Sequence, residues 1–498
     1  MRSLDTQLAL ASVGRRLLRE PRRPVAVRSS PRAHWYVVGT VCIGAVMGQL
    51  DASIVTLALP SIGRDLHASV GAVEWVALSY LLVLVATVAT VGRIADAVGR
   101  KLLYVYGFGV FTAGSVLCGL APTLPVLIAA RVLQAIGAAM LQANSVALIA
   151  EAMPPSLLGR GIGVQGGAQA LGLALGPAVG GVLLALGGWR LIFLVNLPAG
   201  AIGLALGWFL LPRSRSCREL GAADRLGPVL LALAVAGPLV YLSLGSRAGY
   251  ADGVPLACLA AGVICALAFI RRERRVAVPL IDLSIMRRPA LAVGLSSGLV
   301  SYMALFGILF AVPYYLSAER VSEAWIGLQL AVLPVAIGVT APIAGRLVDR
   351  LGDGALTAGG LLLAAAGMFE IALRHGTAGI LLGLALAGVG LGAFTPANNA
   401  GVMSASPPGH AGVVSGLLNM TRGLGTALGV ALTGAVFTAV AGISGTNAAR
   451  ASAAATGHGL TAAFGVLGVA AVLTGSALVW RARRGLQAIS YDAPARTG

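Results

Sequence analysis

Three ionisable residues stand deep inside long apolar runs: Asp51, Arg131 and Arg422. A charge at the centre of a lipid-embedded helix costs about 2.5–3.5 kcal/mol on insertion scales, so each must have a partner or face water. The runs holding Asp51 and Arg131 are the first and the fourth in the chain. If successive runs cross in opposite directions, both residues lie about seven residues from the same boundary, roughly 10 Å deep at 1.5 Å of rise per residue. Equal depth makes them plausible partners, either as a structural ion pair or as a pair that gains and loses a proton. Arg422 lies close to the middle of its own run, with no acid in that run or at comparable depth in the fourth, fifth, tenth or twelfth. It either meets an anionic or strongly polar group, or bonds backbone carbonyls at a helix break near Gly423 and Gly425.

A second constellation is the charged stretch GRIADAVGRK, with Gly92, Arg93, Asp96, Gly99, Arg100 and Lys101. Its pattern returns as GRLVDRLG, with Gly345, Asp349 and Gly352. A charged loop repeated in so apolar a chain implies two related halves, each with this loop on the same side of a membrane. Gly92 and Gly99 are expected to permit a tight reversal between helices. Asp96 precedes the third run, where a helix N-terminus favours negative charge. In the fifth run Gly172, Gly176 and Gly180 fall at i, i+4 and i+8, one smooth helical face suited to close helix contact. Pro177 deprives the Leu173 carbonyl of its helical partner and favours a kink. Gln165 and Gln169, four apart, either face a cavity or bond a neighbouring helix. Tyr302, Phe306, Phe310, Tyr314 and Tyr315 crowd the ninth run and could line an apolar cavity or simply pack; Asn144, Asn398, Asn399 and Asn419 are polar candidates of the same kind.

The elements that must position these residues follow from composition. Of 498 residues 57% are hydrophobic and 11% charged, where a soluble chain carries roughly a quarter charged. Apolar stretches of about 20 residues, the length that spans a bilayer core, recur throughout. The expected fold is all-α and polytopic, with fourteen spans at about 35–58, 74–92, 102–121, 124–149, 161–186, 190–211, 226–245, 253–270, 290–316, 325–344, 355–373, 379–403, 411–437 and 460–480. These divide into a basic tail (1–34), a six-helix bundle (35–211), two extra central spans (226–270), a second six-helix bundle (290–480) and a closing tail (481–498). Most of the 36 basic residues fall on the side of the two tails. By the positive-inside rule that side is cytoplasmic, which puts both termini in the cytoplasm of a cell-membrane protein.

The same distribution argues against nucleic acid as the partner of the +18 net charge; the basic tail is a solvated segment near anionic lipid. The run after it is too long for a signal peptide and no small-residue cleavage site closes it. The 5 cysteines show no metal spacing. No GxxxxGK[ST] is present, so energy is expected from an ion gradient rather than ATP, with no cofactor, no metal and no enzymatic cluster.

With these motifs in hand, the chain from about residue 35 to 480 resembles the major facilitator superfamily, and within it the fourteen-span drug:proton antiporters. GRIADAVGRK resembles the superfamily's loop signature. Leu50 to Val55 with Ala58-Leu59-Pro60 resembles that group's first-span signature, with Trp75 and Tyr80 where its second span often has them. Arg131 to Gly137 resembles the fourth-span arginine motif, and Gly172, Gly176, Pro177, Gly180 and Gly181 resemble the fifth-span signature of exporters. Trp189, Arg190, Phe193, Asn196, Pro198 and Gly200 also match the group. The resemblance implies two pseudo-symmetric six-helix bundles that export a small organic molecule, a drug or antibiotic, in exchange for protons. It implies a proton-coupling role for Asp51 and Arg131, and a latch between halves, made and broken on the cytoplasmic side, for the two loops. Asn144, Gln165, Gln169, Phe310, Tyr314, Asn419 and Arg422 are the candidate cavity residues. Because the deep interior carries more arginine than carboxylate, neutral, acidic or zwitterionic substrates are expected over permanent cations. Export of one dedicated metabolite, uptake by proton symport, and a membrane enzyme or sensor are the competing readings; the last would need a catalytic cluster or soluble domain that the sequence does not show.

Overall fold

The computed structural model describes residues 23–154, 157–214, 226–276, 288–406, 411–442 and 453–491. Among them the regular structure is helical, and fourteen helical segments are long and apolar enough to cross a membrane. In lipid every backbone polar group must bond within the chain, so an apolar run of this length has the helix as its stable form. The principal helices are α1 (Ala33–Asp65), α2 (Trp75–Val98), α3 (Arg100–Gly119), α4 (Leu124–Ala152), α5 (Leu158–Gly187), α6 (Asn196–Leu210), α7 (Leu226–Ala248), α8 (Gly253–Glu273), α9 (Pro289–Ala318), α10 (Val332–Leu351), α11 (Asp353–Leu373), α12 (Thr377–Ser404), α13 (Ala411–Val440) and α14 (Ala453–Tyr491). Short helices Val70–Val73, Trp189–Leu194 and Glu323–Leu330 lead into α2, α6 and α10. We call the membrane face where α1 begins the N face and the opposite one the far face.

The spans match the expected number, and several are longer than hydropathy alone suggests. The first continues to Asp65 through Pro60, because its far-face end is held by neighbouring protein as well as by lipid. Gly99 (φ 117°) and Gly352 (φ 78°) make the one-residue links α2–α3 and α10–α11, a backbone region that disfavours side chains. Gly92 and Gly345 do not share that task. Both lie inside α2 and α10, where the helix runs on, in α10 even past Pro342, so only the second glycine of each repeated loop forms the reversal.

The first six spans pack among themselves, α3 on α4, α1 on α5 and α2 on α4; the last six do likewise, α11 on α12 and α14, α9 on α13 and α10 on α12. The two groups use equivalent small-residue faces. Gly172, Gly176 and Gly180 of α5 lie against Val46, Ser53 and Ile54 of α1, while Gly425 and Gly429 of α13 lie against Leu299 and Met303 of α9. The separation relating Gly172 to Gly425 is the one relating Gly92 to Gly345, so the internal repeat runs beyond the loops. The extra pair is asymmetric. α7 lies against both α2 and α13, where Trp75 Nε1 donates to Ser243 Oγ (2.9 Å) and Ser243 Oγ to the Gly71 carbonyl (2.9 Å). α8 packs chiefly on α7 and turns Val263, Ile264 and Leu267 outward.

Candidate functional site

Asp51 and Arg131 meet in the interior of the first half. Arg131 Nη1 lies 2.7 Å from Asp51 Oδ2, and the two side chains are 1% and 0% exposed. Neither charge could be buried so fully without dense satisfaction, and the surroundings supply it. Gln134, one turn along α4 from Arg131, donates through Nε2 to Asp51 Oδ1 (2.8 Å) and accepts from Arg131 Nη1 (2.7 Å). Arg131 Nε donates to the Val76 carbonyl (2.9 Å). Asn196 Nδ2 reaches Asp51 Oδ1 (3.4 Å) and Ser115 Oγ (3.0 Å), and Ser115 Oγ donates to the Phe193 carbonyl (2.8 Å). The guanidinium lies under the Tyr80 ring, 4.1 Å from its centroid.

Beside this cluster, toward the N face, lies an open cavity between the halves. Tyr80, Ala52 and Phe111 form its wall nearest the ion pair, and Ser145, Gln165 and Val88 carry it toward the N face. Tyr80 thus stands between the Asp51–Arg131 pair and the cavity. On the far-face side the halves are tied. Glu323, at the start of the short helix before α10, accepts from Arg64 Nη2 (3.0 Å) and from Ser61 Oγ at the end of α1. Gly181 of α5 and Gly327 touch backbone to backbone, and Gly434 of α13 abuts the Glu74 carboxylate.

The sequence pattern of the Major Facilitator Superfamily matches residues 41–430 and again 298–490. The chain belongs to that superfamily. Similar proteins include the riboflavin transporter RibZ of Clostridioides difficile, 31% identical over 407 residues (81% of this chain, 88% of that one). The tetracenomycin C resistance and export protein of Streptomyces glaucescens is 31% identical over 409 residues (80% and 75%). The drug efflux pump JefA of Mycobacterium tuberculosis is 32% identical over 419 residues (82% and 81%). A solved bacterial homologue of the lysosomal transporter Spinster shares the fold, with TM-score 0.66 at 18% identity, covering 92% of this chain and 98% of that one. As a superfamily member the protein is a non-enzymatic, multi-pass secondary transporter whose relatives include drug and antibiotic exporters.

The superfamily fold distributes the remaining candidates unevenly. Gln165, Gln169, Asn419 and Arg422 line the cavity. Gln165 also donates to Ser145 Oγ (3.0 Å), so it both bonds across helices and faces the cavity. Asn144 does not reach the cavity wall; its amide is buried and donates back to Met140 O (2.8 Å) in its own helix. Phe310 and Tyr314 are not in that wall either. They pack on each other (centroids 5.0 Å), and Tyr314 packs on Phe437 of α13 (6.1 Å), further toward the tied far face. Their neighbours Tyr302 and Phe306, one and two turns nearer the N face, are the aromatics that line it.

Arg422 does not bond carbonyls at a helix break. α13 runs unbroken, and the described bonds of Arg422 go to Asn399 Oδ1 (3.0 Å) and Asn419 Oδ1 (3.4 Å). α5 likewise continues through Pro177. In the loop, Arg100 pairs with Glu151 (2.9 Å) and buried Lys101 donates to the Leu211 carbonyl (2.9 Å), both contacts within the first half. The side chains of Arg93, Asp96 and Asp349 lie outside the described residues. Sequence reasoning missed Gln134 and Asn196 as ligands of the ion pair, Ser115 as the hydroxyl that joins those two amides, Tyr80 as the pair's cover, and Glu323 as the far-face tie. Gln134 carried a positional signal, since it shares a helical face with Arg131 at i+3, and Tyr80 and Asn196 a signal only through the family resemblance.

Proposed function

We propose that the protein exports small organic molecules across the cell membrane in exchange for protons, by alternating access. The observation that carries this reading is the sealed Asp51–Arg131 pair beside a cavity that lies on the N-face side of a closed far-face tie. We take the N face as cytoplasmic, with both termini there, from the arginine-rich segments that border it. The cavity is then loaded from the cytoplasm. Proton uptake by Asp51 removes the charge that holds Arg131, Gln134 and Asn196 to α1. Arg131 retains the Gln134 and Val76 oxygens and the Tyr80 face, so neutralisation loosens α1 from α4 without stranding the guanidinium. α1 also bears the glycine face of α5 and the Arg64 and Ser61 contacts to Glu323. A change at Asp51 therefore bears directly on the far-face closure. The repeated loops Gly92–Lys101 and Gly345–Gly352 serve as the cytoplasmic latch of the opposite state; the Gly172–Gly180 face lets α5 re-pack on α1, and Gly181 lies where the halves part, against Gly327.

A narrower reading, export of one dedicated metabolite, is favoured by the relatives' names, which include a riboflavin transporter and a tetracenomycin C exporter alongside multidrug pumps. The coupling test uses purified protein in proteoliposomes with an imposed pH gradient. Asp51→Asn is expected to abolish gradient-driven accumulation of a dye substrate while leaving dye exchange without a gradient. Full gradient-driven accumulation by Asp51→Asn would sink the reading.

A further inference from the structure

Among the described residues lining the cavity, Arg422 is the one that carries a charge, and no acid is found among them. Its described hydrogen bonds go to two neutral amides and use two of the five N–H donors a guanidinium offers. It is half-buried, beside a Tyr302–Phe306 stack whose rings lie 6.4 Å apart at 17°, with its charge 5.7 Å from the Tyr302 centroid. The opposite half contributes the pseudo-equivalent position: the separation relating Gly172 to Gly425 carries Gln169 onto Arg422, and both face the same space. One wall is thus neutral and amide-bearing, with Gln49, Gln142, Gln165 and Gln169, and the other holds a cation next to an aromatic shelf.

We infer that Arg422 is the anion-recognition residue of the substrate site, and that this transporter takes aromatic molecules bearing an acidic group, oriented with the acid toward α13. The inference rests on the reading of the cavity as the substrate site of an exporter. A buried cation not neutralised by a carboxylate gains most from an anion that displaces cavity water. Asn399 and Asn419 hold the guanidinium in place without cancelling its charge. The ring beside it offers stacking to a planar ligand. A permanent cation entering here meets repulsion and no counter-charge.

The test compares 7-methoxycoumarin-3-carboxylic acid with its methyl ester, two aromatic dyes without a cationic group that differ by one carboxylate. Binding is read by fluorescence anisotropy on the purified full chain in nanodiscs, and pH-driven uptake in everted proteoliposomes. The wild type is expected to bind the acid about tenfold more tightly than the ester, the ratio of one charged hydrogen-bonding contact. Arg422→Gln is expected to bring the two within about twofold, and Arg422→Lys to keep most of the preference. Should Arg422→Gln not fold, Gln169→Glu, which sets a carboxylate across the same cavity, is expected to cancel the preference. An acid preference that survives Arg422→Gln or Gln169→Glu, an equal or better fit of the ester to the wild type, or binding of neither dye would each overturn the assignment. If both dyes bind with the Arg422-dependent preference but neither is moved by a pH gradient, the assignment stands and the proton-driven export reading falls.

Discussion

Two arginines sit near mid-membrane, one in each half, and the protein treats them oppositely. Arg131 is 1% exposed, paired with a carboxylate, bonded to a backbone carbonyl and covered by an aromatic ring. Arg422 is half-buried, bonded to two amides and open to the cavity. The same side chain is made electrically silent in one place and left available in the other. Pairing and sealing suit a charge whose partner is to be switched by a proton. Neutral tethering suits a charge that has to meet something arriving from outside. The internal repeat sharpens this contrast, since the first-half equivalent of Arg422 is the uncharged Gln169.

The largest expected effect comes from breaking the sealed pair. Arg131→Met leaves Asp51 buried without its counter-charge, a loss of about 3–5 kcal/mol. It should appear as a large fall in the thermal unfolding midpoint and in the yield of monodisperse protein. Asp51→Asn combined with Arg131→Gln removes both charges and should recover much of that stability without recovering proton-driven transport. Arg422→Gln, by contrast, should cost about 1 kcal/mol, because it removes hydrogen bonds to neutral amides and strands no buried charge. Equal destabilisation by Arg131→Met and Arg422→Gln would erase the distinction drawn between the two sites.

Next in size is the cover. Tyr80→Leu removes the ring face from the guanidinium, a contact worth about 0.5–2 kcal/mol, and opens a path between Arg131 and the cavity. The expected outcome is a substrate-independent proton leak in proteoliposomes carrying a pH gradient. Tyr80→Phe keeps the ring and should keep the seal. A tight membrane with Tyr80→Leu would show that the seal lies elsewhere.

How much of this was legible beforehand differs between the two arginines for a physical reason. The Asp51–Arg131 pairing follows from helix rise and alternating direction, because depth in a membrane is a one-dimensional coordinate that sequence records. The number of spans is legible on the same ground. What sequence does not record is rotation about each helix axis and where along the membrane the halves part. Tyr302, Phe306, Phe310 and Tyr314 lie along nearly one face of α9, and only the tied far face separates the first two, in the cavity wall, from the last two, packed on each other and, through Tyr314, on Phe437. The Asn144 amide was likewise legible as polar and apolar-embedded, while rotation of α4 decides that it lies off the cavity wall, where it bonds the Met140 carbonyl of its own helix. The two glycines of each loop motif look alike in sequence, yet only Gly99 and Gly352 carry positive φ.

A smaller effect concerns the tether of Arg422. Asn399→Leu removes the shorter of its two hydrogen bonds, 3.0 Å, and lets the guanidinium wander within the cavity. The affinity for an acidic dye should fall about threefold to tenfold, the range of a single hydrogen bond of about 0.5–1.5 kcal/mol, while the order of acid over ester persists. Reversal of that order would mean that Asn399 itself contacts the ligand.

The smallest expected effect is at the far face, and it asks whether both arginines depend on one closure. Glu323 joins Arg64 and Ser61 across the halves, but Arg64 is 50% exposed. An ion pair this wet contributes about 0–1 kcal/mol, and salt screens it over a Debye length of about 8 Å at physiological ionic strength. The closure is carried chiefly by backbone approach at Gly181 and Gly327, which no screening touches. Glu323→Gln should therefore tilt the equilibrium only slightly toward opening at the far face. A cysteine placed at Gln169 as a reporter should react with an impermeant thiol reagent from the N face no more than about fivefold more slowly, the equivalent of about 1 kcal/mol. Raising salt on the unaltered tie should move the rate in the same direction. Gly327→Leu, which cannot fit against Gly181, should shift it much further. A reporter rate that falls as far with Glu323→Gln as with Gly327→Leu would place the closure in the ion pair. The Asp51 switch would then act through Arg64 and Ser61 on its own helix rather than through the packing of α5.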